Sequence, residues 1–70
     1  MPSSRAAVLA DHIEAAIADG AIPAGSRLGT KEELRRSHDV AYGTLNEALR
    51  ILQQRGYVTS RTGPGGGLFA

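Results

Sequence analysis

A chain of 70 residues makes one small domain, whose core can bury only roughly 60% of the surface that the unfolded chain exposes. The absence of cysteine excludes disulfides, thiolate zinc sites and a cysteine nucleophile. No apolar run approaches the ~20 residues of a membrane-spanning helix, and Asp11 and Glu14 come too early for a signal peptide. The composition therefore predicts a soluble cytoplasmic chain with no membrane partner.

The net charge of +1 is unevenly distributed along the chain. Residues 1–20 hold one arginine against three carboxylates, a net charge of −2, whereas residues 21–70 hold seven basic against four acidic residues, a net charge of +3. An acidic start followed by a basic remainder indicates one face suited to a polyanion. Charge alone also permits an ordinary solvated surface of mixed sign.

The first predicted element is an amphipathic helix that ends near Gly20. Ser3 and Ser4 are good N-cap residues. His12 lies off the apolar face and has no second histidine or carboxylate at a metal-ligand spacing, so we expect a surface histidine and no metal site. The apolar face consists of Ala6, Leu9, Ile13, Ala16 and Ile17.

A turn-rich connection over residues 20–25 follows the first helix, with Ile22 as its apolar anchor. Residues 26–28 are expected to be extended but too short for more than a single bridge. Thr30 then caps a second helix, and Glu33 completes a capping box three residues later. This helix covers residues 31–38 with Leu34 facing inward.

Residues 37–39 are expected to break the second helix, since Asp39 tolerates the left-handed region better than most residues. Val40 then packs inward, and a third helix occupies the stretch from Ala41 to Gly56. Its buried stripe is formed by Leu45, Ala48, Leu49 and Leu52, with Ile51 at the margin. Its opposite face carries Tyr42, Thr44, Asn46, Glu47, Arg50, Gln53 and Gln54.

A short helix, a tight turn and a longer helix with one polar face predict a helix-turn-helix. A plain helical hairpin is the alternative. Gly56 is placed to close the third helix in the left-handed conformation.

After Gly56 the apolar period changes from helical to two, which is typical of strands. Residues 57–61 and 68–69 are strand-like, and residues 62–67 form a glycine-rich loop, so the pattern predicts a β-hairpin, or wing. No helix follows the glycines to bind a nucleotide phosphate, and we expect no cofactor. A loop without side chains instead lets its backbone press close to another surface.

These segments together resemble the N-terminal winged helix-turn-helix domain of the GntR family of bacterial transcription regulators. The resemblance covers nearly the whole chain in order and spacing. The matching parts are residues 13–20, 22–25, 27–28, 30–34, Val40, 44–49, Leu52, 56–58 and 63–69. It implies a mainly α fold with a small β-hairpin, and one DNA-binding domain over residues 1–70. The C-terminal effector and dimerisation domain that family members usually carry is absent from this sequence.

The sequence departs from the family pattern at four positions. The family commonly has Ser-Arg at the start of the third helix and a further arginine before the motif glutamate, where this chain has Ala41, Tyr42 and Asn46. Glu32 replaces an arginine often found in the second helix. An alanine N-cap should cost about 1 kcal/mol unless Thr44 compensates. Because Asn favours adenine, whereas arginine favours guanine, we expect an altered DNA readout.

The resemblance implies that the chain binds double-stranded DNA, reads a palindromic operator as a homodimer in the full-length protein, and is monomeric alone. At the base edges of the major groove we expect Tyr42, Gly43, Thr44 and Asn46. At flanking phosphates we expect Thr30, Lys31, Arg35 and Arg50. The wing should approach the minor groove with Arg61, Thr62, Gly63, Gly65 and Gly66.

The sequence contains no nucleophile–base pair or paired carboxylates that would indicate an enzyme. The alternative function is protein docking, in which Tyr42 and the uncharged start of the third helix form a hot spot.

Overall fold

The computed structural model describes residues 4–70, which form three helices and three short strands. In chain order these are α1 (Arg5–Ala18), β1 (Arg27–Gly29), α2 (Lys31–His38), α3 (Tyr42–Gln54), β2 (Thr59–Arg61) and β3 (Gly67–Phe69). The predicted three-helix winged helix-turn-helix is confirmed.

Helix α1 packs against α3 and supplies half of the helical core. Ser4 caps it, because its hydroxyl accepts a hydrogen bond from the Ala7 N–H at 3.0 Å; Ser3 lies outside the described residues. The predicted apolar face is buried or half-buried throughout, with Ile17 packed against the core, but the prediction omitted Ala10, which is completely buried. Alanine is small enough to let two packed helices approach closely. The buried residues of the two helices are Ala6, Leu9, Ala10, Ile13, Leu45, Ala48, Leu49 and Leu52.

The turn between α2 and α3 is concentrated in one residue. Asp39 adopts the left-handed conformation (φ 51°, ψ 55°), and it is the one non-glycine residue with positive φ in residues 4–70. The predicted helix over residues 31–38 is confirmed, and of the residues expected to break it only Asp39 lies outside α2. The N–H groups of Asp39 and Val40 satisfy the carbonyls of Arg36 and Arg35, both at 3.2 Å. The chain can therefore redirect at once into α3.

Helix α3 is capped at its C-terminal end but has no side-chain cap at its N-terminal end. At its end Gly56 is left-handed (φ 81°), and the N–H of Tyr57 donates to the carbonyl of Leu52 at 2.9 Å, as in a Schellman motif. At its start Ala41 occupies the N-cap position without any side-chain capping bond. Thr44 therefore does not compensate for the missing cap.

The strands form one antiparallel sheet in the order β1-β3-β2. Strands β2 and β3 pair from Thr59↔Phe69 to Arg61↔Gly67, which confirms the predicted wing. The expectation of a lone bridge at residues 26–28 was wrong. Strand β1 begins at Arg27 and pairs with β3 at two positions, and the backbone of Ser26 accepts a further bond from Ala70 at 2.9 Å. Val58 and Leu68 are buried and join the sheet to the helical core.

Candidate nucleic-acid interface

Four of the predicted base-reading and phosphate-binding residues share one exposed face of α3. Tyr42, Gly43, Asn46 and Arg50 are all exposed, and helical spacing places them on the side opposite the buried leucines. Thr44 lies at the edge of this face and is half-buried. Tyr42 is one of two large apolar or aromatic side chains that residues 4–70 expose, with 47% of its surface accessible. This face of α3 offers amide, hydroxyl and guanidinium groups to a ligand.

Arg50 is bound to a carboxylate of its own helix. Its Nε donates to Oε2 of Glu47 at 3.1 Å, and Nη2 donates to the second carboxylate oxygen. The hydrogen bond raises the pKa of Arg50 and lowers the pKa of Glu47. A phosphate contact by Arg50 therefore requires exchange of one anionic partner for another.

Glu32 holds two arginines on α2. Arg35 donates from Nη2 and Nε to the two carboxylate oxygens at 2.9 and 3.4 Å, and Arg36 donates from Nε to Oε1 at 2.9 Å. Hydrogen bonding by Arg35 is the main reason that the pKa of Glu32 lies below its usual value. The sequence reasoning selected Arg35 but missed Arg36 and this shared partner.

Arg35 also connects the two helices of the helix-turn-helix. Its guanidinium carbon lies 5.0 Å from the centre of the Tyr42 ring, a cation–π distance. The first residue of α3 is therefore held from one side by α2. A side chain with two rotatable χ angles and such a neighbour loses little further freedom when it binds a partner.

Thr30 and Lys31 differ in what they can still bind. Thr30 is engaged in the capping box, since its hydroxyl accepts from the Glu33 N–H at 3.1 Å and its own N–H donates to Oε1 of Glu33 at 2.9 Å. Lys31 is exposed and makes no ion pair within residues 4–70. Lys31 is thus the predicted phosphate contact on α2 that needs no exchange of partners.

The wing is stabilised by its backbone and by Arg61. The Arg61 guanidinium lies 4.2 Å from the centre of the Phe69 ring. A Cβ atom at Gly66 would lie 2.6 Å from the Arg61 carbonyl oxygen, so the turn itself requires glycine there. At Gly65 an added Cβ meets nothing within 4 Å, although φ is +73°. Thr62, Gly63 and Gly65 are exposed at the tip.

Arg27 positions the wing and was missed by the sequence reasoning. Its Nε donates to the Gly66 carbonyl at 3.1 Å, and Nη1 lies 3.5 Å from Oε1 of Glu33 on α2. These contacts join β1, the wing loop and α2. No local pattern reveals them, because Arg27 and Gly66 are 39 positions apart.

A groove of about 350 Å³ lies between α1, α2 and β1, with His12 and His38 among its lining residues. Burial, followed by the charge of His12, lowers the pKa of His38. Residues 4–70 contain no cluster of three or more groups that could hold a metal ion. Within the same range no helix is long and apolar enough to cross a membrane.

The family model described as "Bacterial regulatory proteins, gntR family" matches residues 5–67. The chain belongs to the GntR family. The GntR helix-turn-helix is therefore present over nearly the whole sequence, as the resemblance implied.

A relative and a solved structure agree with this assignment. The chain is 40% identical over 65 residues to RmpR of Mycobacterium gastri, which is named as an HTH-type transcriptional regulator. The match covers 93% of this chain and 24% of RmpR, so the chain spans about a quarter of that relative's length. The crystal structure of the DNA-binding domain of AraR in complex with operator ORR3 matches with a TM-score of 0.83 and 26% identity, over 100% of this chain and 82% of that one.

The α3 face offers little unpaired positive charge. Arg50 is paired with Glu47, and Arg35 on the neighbouring α2 is paired with Glu32. Tyr42 and Asn46 on the same face are neutral.

Proposed function

We propose that this chain is the DNA-reading module of a bacterial transcription regulator that binds double-stranded DNA sequence-specifically. The observation that carries the proposal is the exposed polar face of α3 in a fold that matches an operator-bound DNA-binding domain along its full length. A GntR regulator acts where the bacterial chromosome is, so its place of action is the cytoplasm. We expect the chain to have no catalytic activity and to need no cofactor.

In the proposed complex α3 enters the major groove. Tyr42, Gly43, Thr44 and Asn46 face base edges, where the Asn46 amide suits adenine and the Tyr42 ring suits a thymine methyl group or a phosphate. The wing from Arg61 to Gly66 approaches the neighbouring minor groove. Four residues that contact phosphates fix the register: Thr30, Lys31, Arg35 and Arg50.

Dimerisation is part of the proposal. Helix-turn-helix dimers read two half-sites, so we propose a palindromic operator and a homodimer formed by parts of the full-length protein outside these residues. The 70-residue chain alone should bind weakly, at about 10⁻⁴–10⁻⁶ M at physiological salt. Two tethered copies should bind far more tightly, because the second binding event becomes intramolecular.

The salt dependence of duplex binding tests the proposal. If Lys31, Arg35, Arg50 and Arg61 all reach phosphates, log K should fall with log salt at a slope of about −4. The slope should be about −2 if Arg35 and Arg50 stay with their carboxylates. Fluorescence anisotropy with a labelled duplex measures it. Binding that is insensitive to salt, or absent, would contradict DNA binding and favour a docking surface around Tyr42.

A matched pair of variants locates the contact. Lys31→Gln and Arg55→Gln each remove one positive charge, but Arg55 is bound to Asp11 and Glu14 on α1, at 2.9 and 3.1 Å. Lys31→Gln should weaken duplex binding and flatten the slope by about one unit, whereas Arg55→Gln should leave the slope unchanged. Equal losses from both variants would mean that only net charge attracts the DNA.

A further inference from the structure

Glu32 places a carboxylate inside the proposed DNA-contacting face. It lies on the first turn of α2, and its two oxygens are bound by Arg35 and Arg36. The capping of α2 does not need it, because Thr30 and Glu33 form the capping box. Ion pairs as exposed as these contribute little to stability. As an acidic residue on the first turn, Glu32 also favours the helix dipole slightly, so the fold gains only a little from it.

The two arginines are well placed for phosphates. Arg35 reaches across to Tyr42 at the start of α3, which puts its guanidinium at the junction of the two helices. Arg36 is the more exposed, with 74% of its side chain accessible. A guanidinium binds a carboxylate and a phosphate with the same fork of N–H donors, so it cannot serve both fully at once. A carboxylate that binds these guanidinium N–H groups in the free domain therefore competes with the phosphates of DNA.

We infer that Glu32 is an internal competitor for the DNA backbone. In the free domain its carboxylate occupies Arg35 and Arg36, and these guanidiniums contact phosphates only after they release it. The inference rests on the proposed function. It explains how a face with several arginines can keep a low affinity for DNA in general, since non-specific binding depends almost entirely on phosphate contacts.

Removal of the competitor is the direct test. Glu32→Gln keeps the size of the side chain but binds guanidinium more weakly than a carboxylate does. Duplex affinity should rise about three- to tenfold, because Arg35 and Arg36 no longer have to release a carboxylate before they contact phosphates. Glu14→Gln is the matched control, because it removes a carboxylate bound to Arg55, which lies at the opposite end of α3 from Tyr42. It should leave the affinity unchanged.

A double-mutant cycle separates competition from simple repulsion between Glu32 and DNA. Arg35→Gln should weaken binding only slightly in the wild-type chain and severalfold more in the Glu32→Gln background. Far-UV circular dichroism checks that every variant is folded. Equal effects of Arg35→Gln in both backgrounds, or an unchanged duplex affinity after Glu32→Gln, would overturn the inference while wild-type binding still supports the function. A wild-type chain that shows no salt-dependent duplex binding would refute both.

Discussion

The missing cap of α3 gives the most quantitative prediction for stability. Ala41 has φ −70° and ψ 154°, close to the angles of the two capping residues Ser4 (φ −66°, ψ 158°) and Thr30 (φ −81°, ψ 166°). In those two helices a hydroxyl accepts from the third residue of the helix at 3.0 and 3.1 Å. The backbone at Ala41 is thus already arranged for a serine hydroxyl to bind the Thr44 N–H.

Ala41→Ser should therefore stabilise the domain by about 1 kcal/mol. For a domain of this size that corresponds to a rise in melting temperature of about 4–8 °C. Urea and thermal unfolding followed by far-UV circular dichroism measure both quantities, and the urea m-value should stay constant. Ala15→Ser, at an exposed interior position of α1, is the control and should lower stability by a few tenths of a kcal/mol. No gain from Ala41→Ser would refute the conclusion that the start of α3 is uncapped.

Three further predictions concern α3 and the groove beside α1. Gly43→Ala should stabilise the domain by about 0.5–1 kcal/mol, because alanine favours a helix more than glycine does and an added Cβ meets nothing within 4 Å. The same change should weaken duplex binding. Unchanged binding would exclude a close approach of the DNA to the backbone at Gly43. Asn46→Ala should cost about 1–3 kcal/mol at one A·T pair per half-site, whereas Arg50→Ala should weaken all duplexes alike and flatten the salt slope by about one unit. A uniform loss for Asn46→Ala in binding titrations would exclude base reading. Because the pKa of His38 is lowered from 6.5, stability should be complete above that pH and fall below it, and His38→Gln should remove this dependence in urea titrations.

The helices could be predicted because their signals are local. The capping box of Thr30 and Glu33, the left-handed Asp39 and the closing Gly56 each depend on neighbours within a few residues. Strand β1 could not be predicted in this way. Its partner β3 lies about 40 residues further along, and three residues carry too little periodicity to reveal a pairing.

The residues of the candidate interface could be predicted from their types and spacing, but the interactions among them could not. The polar face of α3 follows from helical spacing, and the structure exposes it except at Thr44 and Glu47, which are half-buried. The ion pairs that neutralise the arginines of α2 and α3 were not predicted. On α2, however, Glu32 and Arg36 stand at the i,i+4 spacing that favours such pairs. Arg27 belongs to a segment that carries the family resemblance, but its contact with the wing loop could not be predicted, since that loop is distant in the chain. Spacing can therefore locate a surface, but the charge that remains available there depends on which partners the fold supplies.

The contact surface can be mapped residue by residue with amide chemical shifts. A duplex enriched from a random pool by two tethered copies of the chain would be titrated into the isotope-labelled domain, and each backbone amide followed by two-dimensional NMR. We expect the largest shifts at residues 30–36, 42–50 and 61–66, with little change on the exposed side of α1. Shifts centred on α1, or no shifts with any enriched duplex, would contradict the claim that the α3 face reads DNA.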